Sequence, residues 1–513
     1  MKKLLVISLF CISKLITFSQ PTVVQWQKGF GGSSHDVGGN IIQKINGEFI
    51  IFGHTMSNDH DVITNHGFLF DVWVLNLTDT GRLISNKCFG GTAEEYGLTI
   101  TEKDNELILF GTARSDNFDL DNVHDVAFGA DLWMLQIDSL LNIISQKTLG
   151  SASSDQALKF IVLNNGGYMF LGRTGQAGND VDSAYGNFDL WVCKTDSNVN
   201  IEWQLTLGSS SDENGGDIVQ TLDFGYLVVG GVSMNDGSIT CQPFGGTILL
   251  TKINSSGVVM WQKCFSSAYA KKVIATSDGG FVVAAMTFDN TMPGYSDLSD
   301  YLLFKIDSLG NQQWAHCYGG SMFDEPNDLI QCSDGGFIIA GTSDSYDFYA
   351  TTNHGGSKDA LLVKVDSLGN FQWSQCYGGI DHETCNSVIE TSDGGLAITG
   401  STKSVIGLPH YGFEDLWVLK LNYIGNGIVT PDNSIEYFRT YATVQGIGVE
   451  FSSKQNQEVL ISIYDILGKK IHSDKNEVMM GKVNFNYNLN ESRGVLLIEL
   501  KTADGRIVNK LIK

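Results

Sequence analysis

Residues 366–379 read DSLGNFQWSQCYGG, and residues 307–320 read DSLGNQQWAHCYGG. The two phrases stand 59 residues apart. Each closes on a marker, an aromatic residue or Leu followed by two small residues. The marker recurs at Phe30-Gly31-Gly32, Phe89-Gly90-Gly91, Leu149-Gly150-Ser151, Leu207-Gly208-Ser209 and Phe265-Ser266-Ser267. With Tyr318-Gly319-Gly320 and Tyr377-Gly378-Gly379, seven markers follow one another at intervals of 53 to 60 residues. Spacing this regular is the mark of a repeat architecture.

Each unit holds four strand-like pieces. In the last complete one they are 325–333, FIIAGT (337–342), DALLVKVD (359–366) and FQWSQCYGG (371–379). SDGG joins the first pair, a long loop the second and SLGN the third. Such short apolar runs bounded by Gly, Asp or Asn read as strands. All nine Trp fall in two slots. Trp73, Trp133, Trp191 and Trp417 follow an Asp by two residues in the third strand, and Trp26, Trp203, Trp261, Trp314 and Trp373 sit in the fourth. Packing between neighbouring sheets is the expected role of aromatics that recur per unit.

Four-stranded units repeated radially make a β-propeller. The seventh unit has its third strand at 415–421 and no fourth strand after it, while VVQWQKGFGG before the first unit is an orphan fourth strand. Docking Val23–Gly29 there closes the ring. The expectation is an all-β chain: a seven-bladed propeller whose N-terminal strand completes the last blade, then a small C-terminal β-sandwich. Eight blades is the alternative count. The boundaries are 1–19 for a signal peptide, 20–425 for the propeller, 426–434 for a linker and 435–513 for the C-terminal domain.

Composition agrees. With 513 residues, 42% of them hydrophobic, the chain can bury more than one core. Abundant Gly (58) and scarce Pro (6) suit glycine turns between short strands. The opening MKKLLVISLFCISKLITFSQ has a positive start at Lys2 and Lys3, an apolar run and a small-residue site at Thr17-Phe18-Ser19, which would leave Gln20 first. Phe10 is too bulky for a lipid-modification box at Cys11. No later stretch is long and apolar enough to span a membrane. The net charge is −24, and residues 20–427 carry 19 basic against 47 acidic side chains. Such a body repels nucleic acid and anionic lipid and suits cations or basic partners.

Eight Cys follow the leader, as in a disulfide-bonded secreted chain. Cys88, Cys264, Cys317 and Cys376 share one repeat slot, however, and equivalent slots in different units lie too far apart to bond. Cys193, Cys241, Cys332 and Cys385 show no regular spacing. Mostly buried thiols are expected.

The D-x-W strand, D-x-x-G-N turn, W strand, G-G turn and D-G-G hairpin resemble the secreted β-propeller repeats of Gram-negative bacteria that use the type IX secretion system, and the broader bacterial short β-propeller repeat family. The likeness covers about residues 23–425. It implies a fold and a location, and no single activity. The fifth unit departs most, with Ser-Ser for Gly-Gly. Beyond the loop-like GNGIVTPDNS, residues 435–513 alternate as strands and resemble the type IX C-terminal sorting domain. The carriers are Ile463-Tyr464-Asp465 with Gly468-Lys469-Lys470, then Gly494, then the end from Gly505 to Lys513. The usual Pro-Asn-Pro opening is absent, and Leu496 stands where that family has Tyr. This resemblance implies the type IX machinery as a partner, export across the outer membrane, and a mature protein that is extracellular or attached to the cell surface.

In a propeller the second-to-third-strand loops and the interblade loops share one face. Six residues after each marker's first residue come Asp36, Glu95, Asp155, Glu213, Lys271, Asp324 and Glu383. They read either as a cation ring at the channel mouth or as acids bonded to their own turn, and the joint loss of Gly-Gly and acid in unit five favours the turn. The long loops SNDHDVITNHG, SDNFDLDNVHD, GNDVDS and SDSYDFYATTNHG space Asp59, Asp61, Asp116, Asp119, Asp121, Asp180, Asp182, Asp344 and Asp347 as oxygen ligands are spaced for calcium. Solvated turn-forming Asp is the alternative, and calcium is the only cofactor suggested. His66, His354 and His410 on long loops, with His35 and His382 on interblade loops, fall in one sector of that face. They are candidate ligand-binding residues and, less directly, a zinc or hydrolytic site. No catalytic residue is assigned, since the chain has no nucleophile elbow, P-loop or dinucleotide fingerprint. The leading expectation is a non-catalytic propeller that presents an acidic loop face to a polysaccharide or protein. A glycan-active hydrolase or lyase and a structural surface component are the alternatives.

Overall fold

The computed structural model describes residues 22–120, 123–124, 129–242, 247–405, 410–423, 435–443, 446–465, 470–488, 495–502 and 506–512. The signal peptide, the linker, Asp121, Gly468, Lys469, Gly494, Gly505 and Lys513 lie outside the described residues. Among the described residues the regular structure is β apart from one 3-10 turn at Phe348–Ala350.

Seven sheets come from the repeat, every pairing antiparallel. The first is Asp36–Gln43, Phe49–Thr55, Asp71–Leu77 and Leu83–Phe89. The second runs from Glu95–Lys103 to Ile143–Leu149, the third from Asp155–Val162 to Ile201–Leu207, and the sixth from Asp324–Gln331 to Phe371–Tyr377. The seventh takes three strands, Ser387–Glu390, Leu396–Thr402 and Asp415–Tyr423, from one end of the repeat region. Its fourth strand is Thr22–Phe30, paired antiparallel with Asp415–Tyr423. The fourth and fifth sheets are continuous, because Val259–Ala275 is at once the last strand of one and the first of the other.

The burial pattern explains the stacking. Second and third strands such as FIIFGHT and DVWVLNL are buried almost throughout, so both faces are covered. Fourth strands such as IISQKTL are open to solvent over their first five residues and buried at the last two. Seven apolar clusters each join two neighbouring sheets. Phe52 and Val74 of the first pack with Leu109 and Trp133 of the second, and Trp73 and Leu75 of the first pack with Leu416 and Val418 of the seventh. About seven four-stranded sheets in this order are consistent with a β-propeller.

The recurring phrase has a local cause. In its turn, Asp307 accepts the backbone N–H of Leu309 and Asn311 and the side-chain amide of Asn311, and Asp366 does the same for Leu368 and Asn370. Gly310 and Gly369 have φ of +76° and +79°, where a side chain is strained. They also seat a Trp of the preceding sheet. A Cβ on Gly310 would lie 2.8 Å from the Trp261 indole, and one on Gly369 2.9 Å from that of Trp314. The phrase therefore combines a self-capped turn with a socket for its neighbour.

The cysteine expectation needs one correction. Cys241 and Cys264 form a disulfide within the fourth sheet and its long loop. The pairing joins an irregular Cys to a repeat-slot Cys of the same unit, so the distance between equivalent slots never applied. Cys88, Cys193, Cys317, Cys332, Cys376 and Cys385 are buried thiols.

Beyond residue 434, strands Ile435–Thr443, Gly446–Ser453 and Gly481–Asn488 form one sheet. Lys470–Val478, Gln457–Asp465, Val495–Lys501 and Arg506–Ile512 form another. Val449, Phe451, Ile461, Ile463 and Ile498, drawn from both sheets, share one core.

Candidate functional site

Register places the long loops and the interblade connections at the same end of each sheet: Asp36 pairs with Thr55, and Thr55 with Asp71. Six connections are built alike. Asp36, Glu95, Asp155, Glu213, Asp324 and Glu383 are fully buried. Each carboxylate accepts the backbone N–H four residues earlier, on Gly32, Gly91, Ser151, Ser209, Gly320 and Gly379. Each backbone N–H in turn donates to a carbonyl of the preceding sheet, as Asp36 does to Glu414 (2.8 Å) and Glu383 to Lys358 (2.8 Å). These acids bind their own turn and do not line an open channel mouth.

Facing each is a second buried carboxyl, the Asp that opens the preceding sheet's third strand. The pairs are Asp36 with Asp415, Glu95 with Asp71, Asp155 with Asp131, Glu213 with Asp189, Asp324 with Asp300 and Glu383 with Asp359. In five of them the marker glycine lies between the two carboxyls; a Cβ on Gly31 would meet Asp36 Oδ2 at 2.6 Å and Asp415 Oδ1 at 2.8 Å. Oδ1 of Asp71, Asp131, Asp300, Asp359 and Asp415 has no hydrogen-bond partner. Burial first, and the facing carboxylate second, push Asp300 up to about 7, while burial chiefly raises Asp36, Asp155 and Asp324 to about 6. Burial likewise takes Glu213 to about 7, with Asp189 adding to the rise. A carboxyl buried beside another acid is harder to ionise than one in water. Without solvent access they are structural acids.

The seventh connection, between the fourth and fifth sheets, has neither acid. Thr247 stands in place of the third-strand Asp, and Ala268, paired with Thr287 as Asp36 is with Thr55, in place of the other acid. The strand runs straight through, and Lys271, expected from its spacing at this position, lies three residues further on in a bulge and pairs with Glu325 at 2.7 Å.

The histidines are tied to these acids. His66 Nδ1 lies 2.7 Å from Asp71 and its Nε2 3.5 Å from Asp119. His354 Nδ1 is 2.6 Å from Asp359, and His410 Nδ1 3.0 Å from Asp415. Each serves a different connection. His124, which the sequence reading passed over, sits on Asp131 in the same way at 2.7 Å. His35 lies 3.5 Å from Glu414 and stacks on Phe413, while His382 contacts Ser357 Oγ at 3.2 Å.

The loop aspartates mostly fold their own loops onto the markers. Asp59 accepts from Ser33 N (2.7 Å), Asp61 from Gly31 N (3.3 Å), Asp119 from Gly90 N (3.3 Å), Asp180 from Gly150 N (3.1 Å) and Asp347 from Ser321 N (2.8 Å). Asp116 and Asp182 are exposed, and Asp344 is half-buried with its carboxyl raised by burial. Among the described residues, no three His, Cys, Asp or Glu are arranged to hold a metal ion.

The loops also expose aromatic rings. Of the eleven exposed Phe and Tyr among the described residues, ten stand at this end: Phe68, Phe118, Tyr185, Tyr269, Phe288, Phe323, Tyr346, Phe348, Tyr411 and Phe413. Phe224, in a hairpin, is the exception. Where the first and seventh sheets meet, His60 stacks on Tyr411 (4.3 Å between centroids) beside the His35–Phe413 stack (5.4 Å). Exposed rings over acidic loops can stack on a sugar face or pack on an apolar partner. The sequence reading followed Trp and missed these residues, because they occupy no fixed repeat slot. The third-strand Asp was legible in the D-x-W spacing.

No family model and no curated protein matches the chain. Among solved structures it is similar to the Neurospora crassa Pan2 WD40 domain, with 9% identity, a TM-score of 0.40, and 76% of this chain and 89% of that one covered. It is also similar to a member of the DUF4221 family from Bacteroides vulgatus (8% identity, TM-score 0.33, 78% and 97% covered) and to a thermostable family-43 glycoside hydrolase (12%, 0.28, 55% and 92%). These are likenesses of fold and extend to no ligand or reaction. Among the described residues no helix is long and apolar enough to cross a membrane.

Proposed function

We propose that the chain is a non-catalytic binding protein of the cell exterior: a closed seven-bladed propeller that holds a polysaccharide on its long-loop face. The observation that carries this reading is the gathering of ten of the eleven exposed Phe and Tyr on that face. Aromatic side chains present rigid apolar area at low conformational cost, and the exposed loop acids beside them supply acceptors for hydroxyls. Closure is supported by the pairing of Thr22–Phe30 with Asp415–Tyr423 and by the Asn386 side chain, which donates to Gly38 O at 2.8 Å. In this reading the leader at 1–19 directs export, and the residues after 434 form a β-sandwich that serves as the type IX sorting signal.

The full chain, applied to arrays of neutral, acidic and amino polysaccharides, is expected to be retained by at least one. Replacing Phe118, Tyr411 and Phe413 together by Ala should abolish that retention without changing the melting temperature. Turnover of any retained glycan would instead favour a hydrolase or lyase.

A further inference from the structure

The innermost strands hold a second feature that the loop face does not use. Six of them break register, five at the same level, between Gly38 and Asn40, Gly97 and Thr99, Ala157 and Lys159, Ala270 and Lys272, and Pro326 and Asp328, and the sixth one residue earlier, between Asn214 and Gly216. Bulges re-aim side chains. Here they surround one cavity of about 140 Å³, lined from all seven sheets.

Its charged lining is uneven. Asp217 Oδ2 accepts Val273 N (3.0 Å) and its Oδ1 accepts Ile218 N. Asp328 Oδ2 accepts Val388 N (2.9 Å) and Ser387 Oγ, and its Oδ1 takes Lys272 Nζ at 3.0 Å. Lys271 turns to Glu325. Among the described residues Lys159 has no carboxylate at ion-pair distance, and its ammonium faces that of Lys272. The Lys272 charge first, and burial second, lower Lys159 to about 8. Asp217 and Asp328 pull the other way. Both carboxylates are already committed, Asp217 to backbone N–H groups and Asp328 to Lys272, so Lys159 has none of its own.

We propose that this cavity binds a small oxyanion, a carboxylate or a phosphate group, between Lys159 and Lys272. The bound anion stands where Lys159 has no carboxylate, and its charge favours the protonated amine. Binding therefore takes up a proton near pH 8 and weakens as the pH rises further.

The test is trace acylation of the intact protein with acetic anhydride at pH 8, at constant ionic strength set by sodium chloride, with lysines resolved by peptide mass spectrometry. Inorganic phosphate and acetate are the two probes. The expected result is that one of them slows acylation of Lys159 by about tenfold when present at ten times its dissociation constant, while exposed Lys403 is unaffected. Equal acylation of Lys159 with and without both probes overturns the proposal. Lys159→Met should remove any rise in melting temperature produced by the protecting anion. If that variant fails to fold, the wild-type protection experiment decides alone.

Discussion

The two ends of the sheets use acidic residues in opposite ways. At the hairpin end the carboxylates are exposed or partly exposed. Asp223, Asp278, Asp334 and Asp393 hold the buried Lys252, Lys305, Lys364 and Lys420, and Asp138, Asp196, Asp307 and Asp366 cap their own turns. At the loop end twelve carboxyls are buried in six pairs, leaving the surface to variable loops and their aromatic rings. One end therefore fixes shape, with each of these two devices returning in four units. The other anchors loops from below, so that their tips are free to differ.

This contrast sets opposite pH dependences, and the collective effect should be the largest of all. Folded carboxyls at the loop end are raised to about 6 or 7, so folding takes up protons. Their stabilisation is complete below about pH 4 and is lost as the pH rises through 6 to 7. At the hairpin end, hydrogen bonds from Thr221 and Lys252 hold Asp223 down to about 2, and bonds from Lys305 and Thr276 do the same for Asp278. That contribution is present above about pH 4 and is lost as the pH falls toward 2. Melting temperature should peak near pH 4 to 5 and decline toward pH 8; a steady rise from 5 to 8 would break the comparison.

Single substitutions sharpen it. Gly319→Ala pushes a Cβ against Asp300 and Asp324 and should cost about 3 kcal/mol in urea unfolding. Opening the Cys241–Cys264 loop with a Ser pair should cost about 2 to 3 kcal/mol. Asp300→Asn places an amide donor against Asp324 and should stabilise by about 1 kcal/mol at pH 8 while being neutral at pH 5. Asp334→Ala, which strands buried Lys364 at the other end, should destabilise by about 1 kcal/mol at both pH values.

The repeat was legible because the same backbone demands return in most units: a glycine beside two carboxyls, a self-capping Asp and a Trp in a glycine socket. The sequence also marked the fifth unit as different through Ser266, Ser267 and Lys271. It gave no sign that Val259–Ala275 runs on as one strand, since that depends on pairing across two sheets. The carboxyl pairs were half legible. Asp36 and its equivalents stood at fixed spacing, but their partners come from another unit, and proximity between units is a property of the tertiary packing. Lys159 was invisible for the same reason: its neighbour Lys272 lies two units away in sequence.

The central claim is that the loop end binds and the hairpin end does not. Retention on a polysaccharide array should be measured for the full chain, for the Phe118, Tyr411 and Phe413 triple Ala variant, and for Phe224→Ala at the hairpin end. The account predicts retention of the wild type and of the Phe224 variant, loss for the triple variant, and melting temperatures equal within about a degree. Retention undiminished in the triple variant, or no retention of the wild type on any glycan, would contradict it.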